Sequence, residues 1–175
     1  MKWFTSDWHL GHEAILKLDN RPFENLFEMQ KTIADNINDS VLEDDILYVI
    51  GDVAYRTFNM QASLVERFLD SMNVKRKILI IGNHDKMLWE NYIDCGFESI
   101  HTSLELDDHV LIHDSSVAGC FKDKKFICGH SHNLFKKCNN VVNVGCSCWN
   151  YKPVKFDEIH QLFYETGVYG LINVK

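Results

Sequence analysis

The amino-acid sequence predicts an α+β fold in which two β-sheets pack together and helices lie outside them. Residues 2–81 alternate short apolar runs with amphipathic stretches, and this order is typical of parallel strand–helix–strand units. Beyond about residue 97 the pattern changes to short β-like runs separated by turn residues. The 175 residues contain only two prolines and no low-complexity tract, so we expect one continuous domain over residues 1–175.

Three strands and two helices are predicted in the first part of the chain. Apolar residues three or four positions apart indicate amphipathic helices, and continuous apolar runs indicate buried strands. In chain order we expect a strand at Lys2–Ser6, a helix at 24–41, a strand at Asp45–Ile50, a helix at 60–72 and a strand at Lys77–Ile81. Asn59 is the expected cap of the second helix.

The second part of the chain predicts a meander of short strands. The stretches concerned read SIHTSLEL, HVLIHD, KKFICGH and NVVNVGCS, and turn residues separate them. A final helix is expected over residues 155–167, where Gly167 would end it.

Charge and composition narrow the classes of function. The net charge of −7 argues against a protein that coats long nucleic acid. No apolar run approaches about 18 residues, so we expect no membrane span. The N-terminal stretch turns polar after four residues, which is not the pattern of a signal peptide. The six cysteines are therefore expected to be reduced thiols in the cytoplasm, although Cys146 and Cys148 leave a zinc knot as an alternative.

Polar side chains follow five of the apolar runs directly, at the point where each predicted strand ends. In parallel sheets the carboxyl ends of strands share one edge, where ligands collect. The residues at these ends are Asp7, His9, Asp52, Asn83, His84, Asp85, His113, Asp114, His130 and His132.

Seven of these residues are candidate ligands for divalent metal ions, which accept carboxylate, imidazole and amide donors. They are Asp7, His9, Asp52, Asn83, His113, His130 and His132. Seven ligands are too many for one ion, whereas two ions that share Asp52 would use about four each. If Asp7–His9 and His130–His132 are extended, each pair projects to one face because side chains alternate along a strand.

This series of blocks resembles the calcineurin-like metallophosphoesterase superfamily: D-W-H at 7–9, G-D at 51–52, G-N-H-D at 82–85, a single His at 113, and G-H-S-H at 129–132. The stretches TSDWHLGHE, NRPF, YKPV and GCSCWN further resemble a subgroup of small bacterial and phage phosphoesterases. The resemblance implies a four-layer α/β/β/α sandwich of two mixed sheets flanked by helices, with two metal ions at the edge where the strands end.

The resemblance also implies a role for each block residue. Asp7, His9 and His132 would hold one ion, Asn83, His113 and His130 the other, and Asp52 would bridge both. His84 would donate a hydrogen bond or a proton to the phosphate or leaving group, and Asp85 would orient His84. Manganese is the expected metal, with iron, zinc, nickel and cobalt as alternatives.

The expected reaction is hydrolysis of a phosphate ester by metal-activated hydroxide. Two divalent ions carry about four positive charges, of which Asp7 and Asp52 cancel about two, so the site still attracts phosphate. We expect a phosphodiesterase or phosphatase acting on small or nucleotide-like substrates. A nuclease acting on short or single-stranded nucleic acid and a catalytically silent interaction module are the alternatives.

Several other residues could contribute to the site or could simply pack or lie on the surface. His12 and Arg21 are candidates for substrate binding, since Arg21 could pair with phosphate, although each could equally be a solvated surface residue. Tyr55, Trp149 and Tyr151 could stack on a base, but packing is the simpler expectation for them and for Trp8. The remaining histidines, His101, His109 and His160, are expected to be structural or solvated.

Overall fold

The computed structural model describes residues 1–56, 58 and 61–165. A first sheet has the strand order β10-β1-β2-β3-β4, in which β1 to β4 are parallel and β10 is antiparallel to β1. Its strands are β1 Lys2–Thr5, β2 Ile46–Val49, β3 Arg76–Ile80, β4 Ser99–His101 and β10 Val154–Lys155. The predicted parallel strand–helix–strand units are therefore confirmed.

The second sheet has the order β5-β6-β7-β9-β8. Its strands are β5 Ser103–Leu106, β6 His109–Ile112, β7 Lys125–Cys128, β8 Lys137–Cys138 and β9 Val141–Asn143. The prediction of a meander was wrong, because β6, β7 and β9 run parallel to one another. Residues 113–124 carry the chain back from β6 to β7, and this connection contains a 3₁₀ turn at Ser115–Cys120. A parallel return of this kind leaves no signal in the short strands themselves.

Five α-helices complete the described part of the chain. They are α1 Ile15–Leu18, α2 Leu26–Ser40, α3 Ala62–Asp70, α4 Trp89–Asp94 and α5 Phe156–Leu162. Helix α2 begins where the Asn25 side chain accepts a hydrogen bond from the Glu28 amide, and it buries Met29, Ile33 and Ile37. The predicted cap Asn59 and the predicted stop Gly167 lie outside the described residues. Among the described residues, no helix is both long and apolar enough to cross a membrane.

The first sheet is buried on both faces, and strand alternation divides its side chains between two cores. In β2, Leu47 and Val49 face the core that contains α2, α3 and α4. The intervening Tyr48 and the following Ile50 face the second sheet. A small third cluster covers the outer face of the second sheet beneath the 3₁₀ turn. The predicted α+β class of two mixed sheets with flanking helices is confirmed.

Candidate metal centre

The carboxyl ends of strands β1, β2, β3, β6 and β7 bring the seven candidate ligands together at one edge of the two sheets. This edge, with its seven candidate ligands, is called the rim. Asp7 and His9 follow β1, Asp52 follows β2, Asn83 follows β3, His113 follows β6, and His130 and His132 follow β7. Six of these side chains, all except Asn83, form two groups within each of which the potential ligand atoms lie within 4.8 Å of one another. Asp52 belongs to both groups.

The first group consists of Asp7, His9, Asp52 and His132. The Nε2 atoms of His9 and His132 face each other at 3.0 Å, and His9 Nε2 lies 3.6 Å from Asp52 Oδ2. His132 Nε2 lies 4.0 Å from Asp7 Oδ1. Burial raises the pKa of the Asp7 carboxyl, so a neighbouring cation would favour its ionised form. Two facing imidazole nitrogens and two carboxylates form a donor set suited to one divalent ion.

The second group consists of Asp52, His113 and His130, and Asn83 joins it through its amide oxygen. Asn83 Oδ1 lies 3.1 Å from His113 Nε2 and 2.9 Å from His130 Nδ1. His113 Nε2 is also 3.4 Å from Asp52 Oδ2. Three nitrogen and oxygen donors, from Asn83, His113 and His130, therefore converge beside Asp52, and this donor set suits a second ion.

A backbone contact fixes the orientation of the His113 ring. His113 Nδ1 lies 2.7 Å from the carbonyl oxygen of Ile50, so Nδ1 donates and Nε2 faces Asp52. Burial opposes protonation of His113, but the hydrogen bond to Asp52 and the charges of Asp7 and Asp52 raise its pKa to about 9. Burial is the largest single influence on Asp52 and raises its pKa, but the hydrogen bond and charge of His113, the His84 amide and the charge of His9 together lower the pKa to about 2. A cation in this place would replace the proton, because metal ligands bind deprotonated.

The backbone at the rim differs from the extended geometry considered from the sequence. Asp7 and His9 have φ angles of 59° and 52°, and Asp52 has a φ of 55°. His130 and His132 have φ angles of 67° and 46°. Left-handed backbone is unfavourable for residues with a Cβ, and it persists where the surrounding structure enforces it. Each pair thus converges because its residues curl around the site, and not through strand alternation.

Two glycines allow the loops to approach closely enough for this convergence. A Cβ on Gly82 would lie 2.3 Å from the Asp52 amide nitrogen and 2.4 Å from its Oδ1. A Cβ on Gly129 would lie 2.5 Å from Ser6 Oγ and 2.8 Å from Asp7 Oδ2. The glycines that precede Asn83 and His130 are therefore required by space, since any side chain would push the two carboxylates out of place.

The GNHD block places its last two residues in different environments. Asp85 is buried, and its carboxylate accepts hydrogen bonds from the amides of Gly82, Asp52 and Val53 at 2.8–2.9 Å. It therefore ties the loop after β3 to the loop after β2. The His84 ring lies at the mouth of the site, with its centroid 5.2 Å from that of His9, and its amide donates to Asp52 Oδ1 at 2.8 Å.

Arg21 is buried, with 4% of its surface exposed, and its guanidinium points into the protein. It donates to the carbonyl oxygens of Asp7 at 2.8 Å and Trp8 at 3.2 Å, and Nε pairs with Asp19 at 2.9 Å. In the described part of the structure these contacts leave no exposed edge of the guanidinium that could bind a phosphate. The position therefore differs from both sequence-based expectations, phosphate binding and a solvated surface charge. Arg21 instead braces the loop that carries Asp7.

Asp19 is a residue that the sequence did not single out. It is buried, and its Oδ2 accepts from Arg21 and Ser147 and lies 3.7 Å from His132 Nδ1. It thus stands behind the His132 ring on the side away from Asp7 and Asp52. No spacing or motif in KLDN distinguishes this aspartate, and only the fold brings it to the site.

The cysteine pair of the CSC stretch also lies behind the rim. Cys146 Sγ donates to the Asp7 carbonyl at 3.4 Å, and Cys148 Sγ donates to the His132 carbonyl at 2.9 Å. Burial raises the pKa of Cys146 to about 11 and that of Cys148 to about 12, so both remain thiols at neutral pH. All six cysteines are free. The two thiols act as buried braces, which favours the structural interpretation over a zinc knot.

A cavity of about 340 Å³ opens beside His84, lined by Gly11, His12, Glu13, Ala14, Tyr55 and Arg56. The rings of His12 and Tyr55 stack with centroids 3.8 Å apart, and the Tyr55 ring is 5.2 Å from that of His84. The Arg56 guanidinium lies 5.1 Å from the Tyr55 centroid. Two of the aromatic residues weighed from the sequence are packed elsewhere: Tyr151 is buried, and Trp149 Nε1 donates to the Asn143 carbonyl.

The side chains present fit two divalent ions. Nitrogen and oxygen donors from five loops face two adjacent points, one carboxylate is common to both, and the backbone carries local strain to hold them there. Two-metal sites of this kind occur in phosphatases and nucleases. The fold and the donor set together define the class of protein as a candidate metal-dependent phosphoesterase.

Comparison with known proteins agrees with this class. The model of the calcineurin-like phosphoesterase family matches residues 3–160, and the chain belongs to that family. An uncharacterized protein of Methanocaldococcus jannaschii is 32% identical, over 98% of this chain and 96% of that protein.

Two solved structures share the fold. A protein of unknown function from Aquifex aeolicus superposes with a TM-score of 0.70 at 23% identity, over 93% of this chain and 98% of that one. A nuclease of Pseudomonas putida superposes with a TM-score of 0.58 at 17% identity, over 99% of this chain and 80% of that one. At these identities the likeness establishes the architecture, and the resemblance noted in the sequence is confirmed at the level of the family.

Proposed function

We propose that the protein is a two-metal-dependent phosphodiesterase that acts on nucleotide-like substrates. The observation that carries the proposal is the position of Asp52, whose carboxylate is common to two groups of metal-binding side chains. Membership of the calcineurin-like phosphoesterase family supports the reaction class. The six free cysteines agree with the cytoplasmic location expected from the sequence.

In this proposal the ligands divide between two ions, most readily manganese. Asp7, His9 and His132 would hold one, Asn83, His113 and His130 would hold the other, and Asp52 would contribute to both. When bound, the two ions supply about two net positive charges for the phosphate and make water acidic enough to be a nucleophile near neutral pH. The neutral amide of Asn83 preserves that positive charge, which a third carboxylate would reduce.

His84 is the proposed proton donor to the leaving oxygen. Its ring lies at the mouth of the site, between His9 and the cavity that His12 and Tyr55 line. A proton placed on the departing alkoxide contributes about 10²- to 10⁴-fold in rate in general acid catalysis. Asp85, expected from the sequence to orient His84, is assigned instead to holding the loops after β2 and β3 together.

Arg21 and Asp19 are assigned positioning roles. Arg21 fixes the carbonyl groups of Asp7 and Trp8, so it sets the loop from which Asp7 projects. Asp19 stands behind the Nδ1 side of His132, where a carboxylate favours the tautomer that offers Nε2 to a metal.

The cavity beside His84 supports a nucleotide-like leaving group. It combines aromatic rings with the exposed guanidinium of Arg56, and these groups suit a base and a second phosphate. A small aryl ester has no base or second phosphate to occupy this cavity. The P. putida nuclease of the same fold makes short single-stranded nucleic acid the second candidate substrate, and the same cavity would receive its next nucleotide.

The test combines metal analysis with a substrate panel. We expect about two Mn²⁺ per chain and hydrolysis of phosphodiesters with nucleoside leaving groups in preference to a simple aryl diester and an aryl monoester. Arg56→Ala should raise KM for the nucleoside diester and leave the aryl diester unchanged, whereas Arg67→Ala, an exposed arginine on α3, should change neither. A metal-loaded protein that hydrolyses no phosphate ester would contradict the proposal and favour the silent interaction module.

A further inference from the structure

A third group of metal-binding side chains lies at the far end of strand β6 from the rim. Asp108 and His109 stand where the β5–β6 hairpin enters β6, whereas His113 follows the end of the same strand. Four strand residues at about 3.3 Å each separate the two positions by roughly 13 Å. The third ligand comes from α5, where His160 points back to the hairpin. Nothing in the proposed phosphoesterase reaction uses these residues.

The three side chains converge closely. One potential ligand atom from each of Asp108, His109 and His160 lies within 4.8 Å of the other two. His109 Nδ1 is 2.8 Å from Asp108 Oδ1, but the two atoms do not form a hydrogen bond. A cation bound by both atoms requires them side by side in this manner, with neither one donating to the other.

His109 carries the strongest sign of a missing partner. It is 1% exposed, and within the described part of the chain neither of its ring nitrogens has a hydrogen-bond partner. His160 Nδ1 is also buried without a partner there. The rings of Phe156 and Phe163 pack against His109, each with its centroid 5.1 Å away, and shield it from water. A buried polar group without a partner is costly, so coordination of a cation would satisfy a need that these atoms already have.

The surroundings select the type of ion. Two imidazoles and one carboxylate suit Zn²⁺, Ni²⁺ or Co²⁺ better than Mg²⁺ or Ca²⁺, which prefer oxygen donors alone. Burial lowers the pKa of His109, so at neutral pH its ring is uncharged and has a lone pair for a metal. Lys125 Nζ occupies Asp108 Oδ2 at 2.6 Å and leaves Oδ1 for the ion. This positive charge weakens affinity, so the site should bind more loosely than the rim.

We propose that Asp108, His109 and His160 form a separate binding site for a zinc-like divalent ion, which ties the β5–β6 hairpin to helix α5. Water completes the coordination, because Asp108 is largely exposed and opens the site on one side. The role is structural: the ion fastens the last described helix, which follows strand β10 of the first sheet, to the edge of the second sheet.

The test measures zinc bound at equilibrium by the full-length wild type, by His160→Gln and by His101→Gln. His101 on β4 contacts Ser99 and belongs to none of the three groups of metal-binding side chains, so it is the matched control for loss of one histidine. We expect His160→Gln to bind one ion fewer per chain than the wild type and His101→Gln to bind the same number. Zinc should also raise the midpoint of thermal unfolding less in His160→Gln than in His101→Gln.

The readout is the difference in zinc content between the wild type and each variant. It therefore does not depend on how many ions the rim holds or on whether the rim is catalytic. Equal zinc content in the wild type and His160→Gln would overturn the site, and so would an equal loss in His101→Gln. Co²⁺ gives a second measure: visible absorption from the third site should appear in the wild type and in Asp52→Asn but be reduced in His160→Gln.

Discussion

The two ends of strand β6 carry histidines in opposite circumstances. His113, at the carboxyl end, has its Nδ1 fixed by the Ile50 carbonyl and its Nε2 held against Asp52 and Asn83. His109, at the amino end, has two ring nitrogens that form no hydrogen bond with the described residues, although Nδ1 lies beside the Asp108 carboxylate. We therefore expect His113, which its neighbours orient beforehand, to bind a metal ion more tightly than His109, which is buried but not oriented by hydrogen bonds.

Asp52→Asn should have the largest effect on the carboxyl-end site and none on the site at the amino end of β6, because it removes the one carboxylate that both rim groups share. We expect turnover to fall by at least roughly 10²- to 10³-fold, the scale for loss of one preorganised electrostatic contact. Manganese content should fall as well, measured by elemental analysis after dialysis, while zinc binding at His109 and His160 persists. Full activity in a variant that has lost manganese would show that the reaction does not depend on metal ions bound at the rim.

His84→Ala sharpens the comparison within the rim, since His84 is proposed to act on substrate and not to hold metal. Turnover of a phosphodiester should fall by about 10²- to 10³-fold, within the range of general acid catalysis. Metal content should equal that of the wild type, because none of the seven candidate ligands is altered. The effect should shrink for a diester whose leaving group is acidic enough to depart without a proton; an equal effect on both diesters would remove the proposed role.

Gly82→Ala tests whether the close approach of two loops builds the rim. The added Cβ would meet the Asp52 backbone and carboxylate at less than 2.5 Å, and overpacking of this kind costs about 1–3 kcal/mol. The free energy of unfolding, measured with urea, should fall by that amount, and manganese affinity should fall with it. Gly119→Ala is the control, because nothing lies within 4 Å of a Cβ at that position. Equal stability in the two variants would show that the rim tolerates the displacement.

Asp19→Asn should have the smallest effect on the rim, because Asp19 acts only indirectly, through His132 and through Arg21, whose hydrogen bond an asparagine oxygen can still accept. Loss of a carboxylate behind a metal-binding histidine typically lowers metal affinity about 10- to 100-fold. We expect Mn²⁺ titrations to show that loss at the lower end of the range, with turnover at saturating Mn²⁺ nearly restored. Turnover that stays low at saturation would assign Asp19 to the reaction itself.

The residue types at strand ends predicted much of this arrangement. Asp52 and the GNHD block follow continuous apolar strands, and the rule that parallel strands present ligands at their carboxyl ends was enough to place them together. The parallel course of β6, β7 and β9 was not predicted, because these strands have only three or four residues and their long returns leave no periodic pattern. Sequence alone also could not show that the backbone curls at Asp7 and His9.

Buried polar side chains were the other gap. From the sequence Arg21 was a candidate either for phosphate binding or for the surface, because charged residues are seldom buried, yet two carbonyl groups and Asp19 satisfy it inside the protein. Asp19 itself carries no local signal, since its partners Ser147 and His132 are more than a hundred residues away in the chain. Partners brought together only by the fold cannot be found from spacing.

The left-handed backbone at five of the seven candidate ligands has a consequence for how this motif changes over evolutionary time. Asn, Asp and His are among the few residues with side chains that accept such a conformation readily, and the same residues bind metals. A lineage that no longer hydrolysed phosphate would still be under pressure to keep them for folding. If variants at these positions are scored separately for expression and for turnover, the substitutions that lower expression should therefore largely be those that lower turnover.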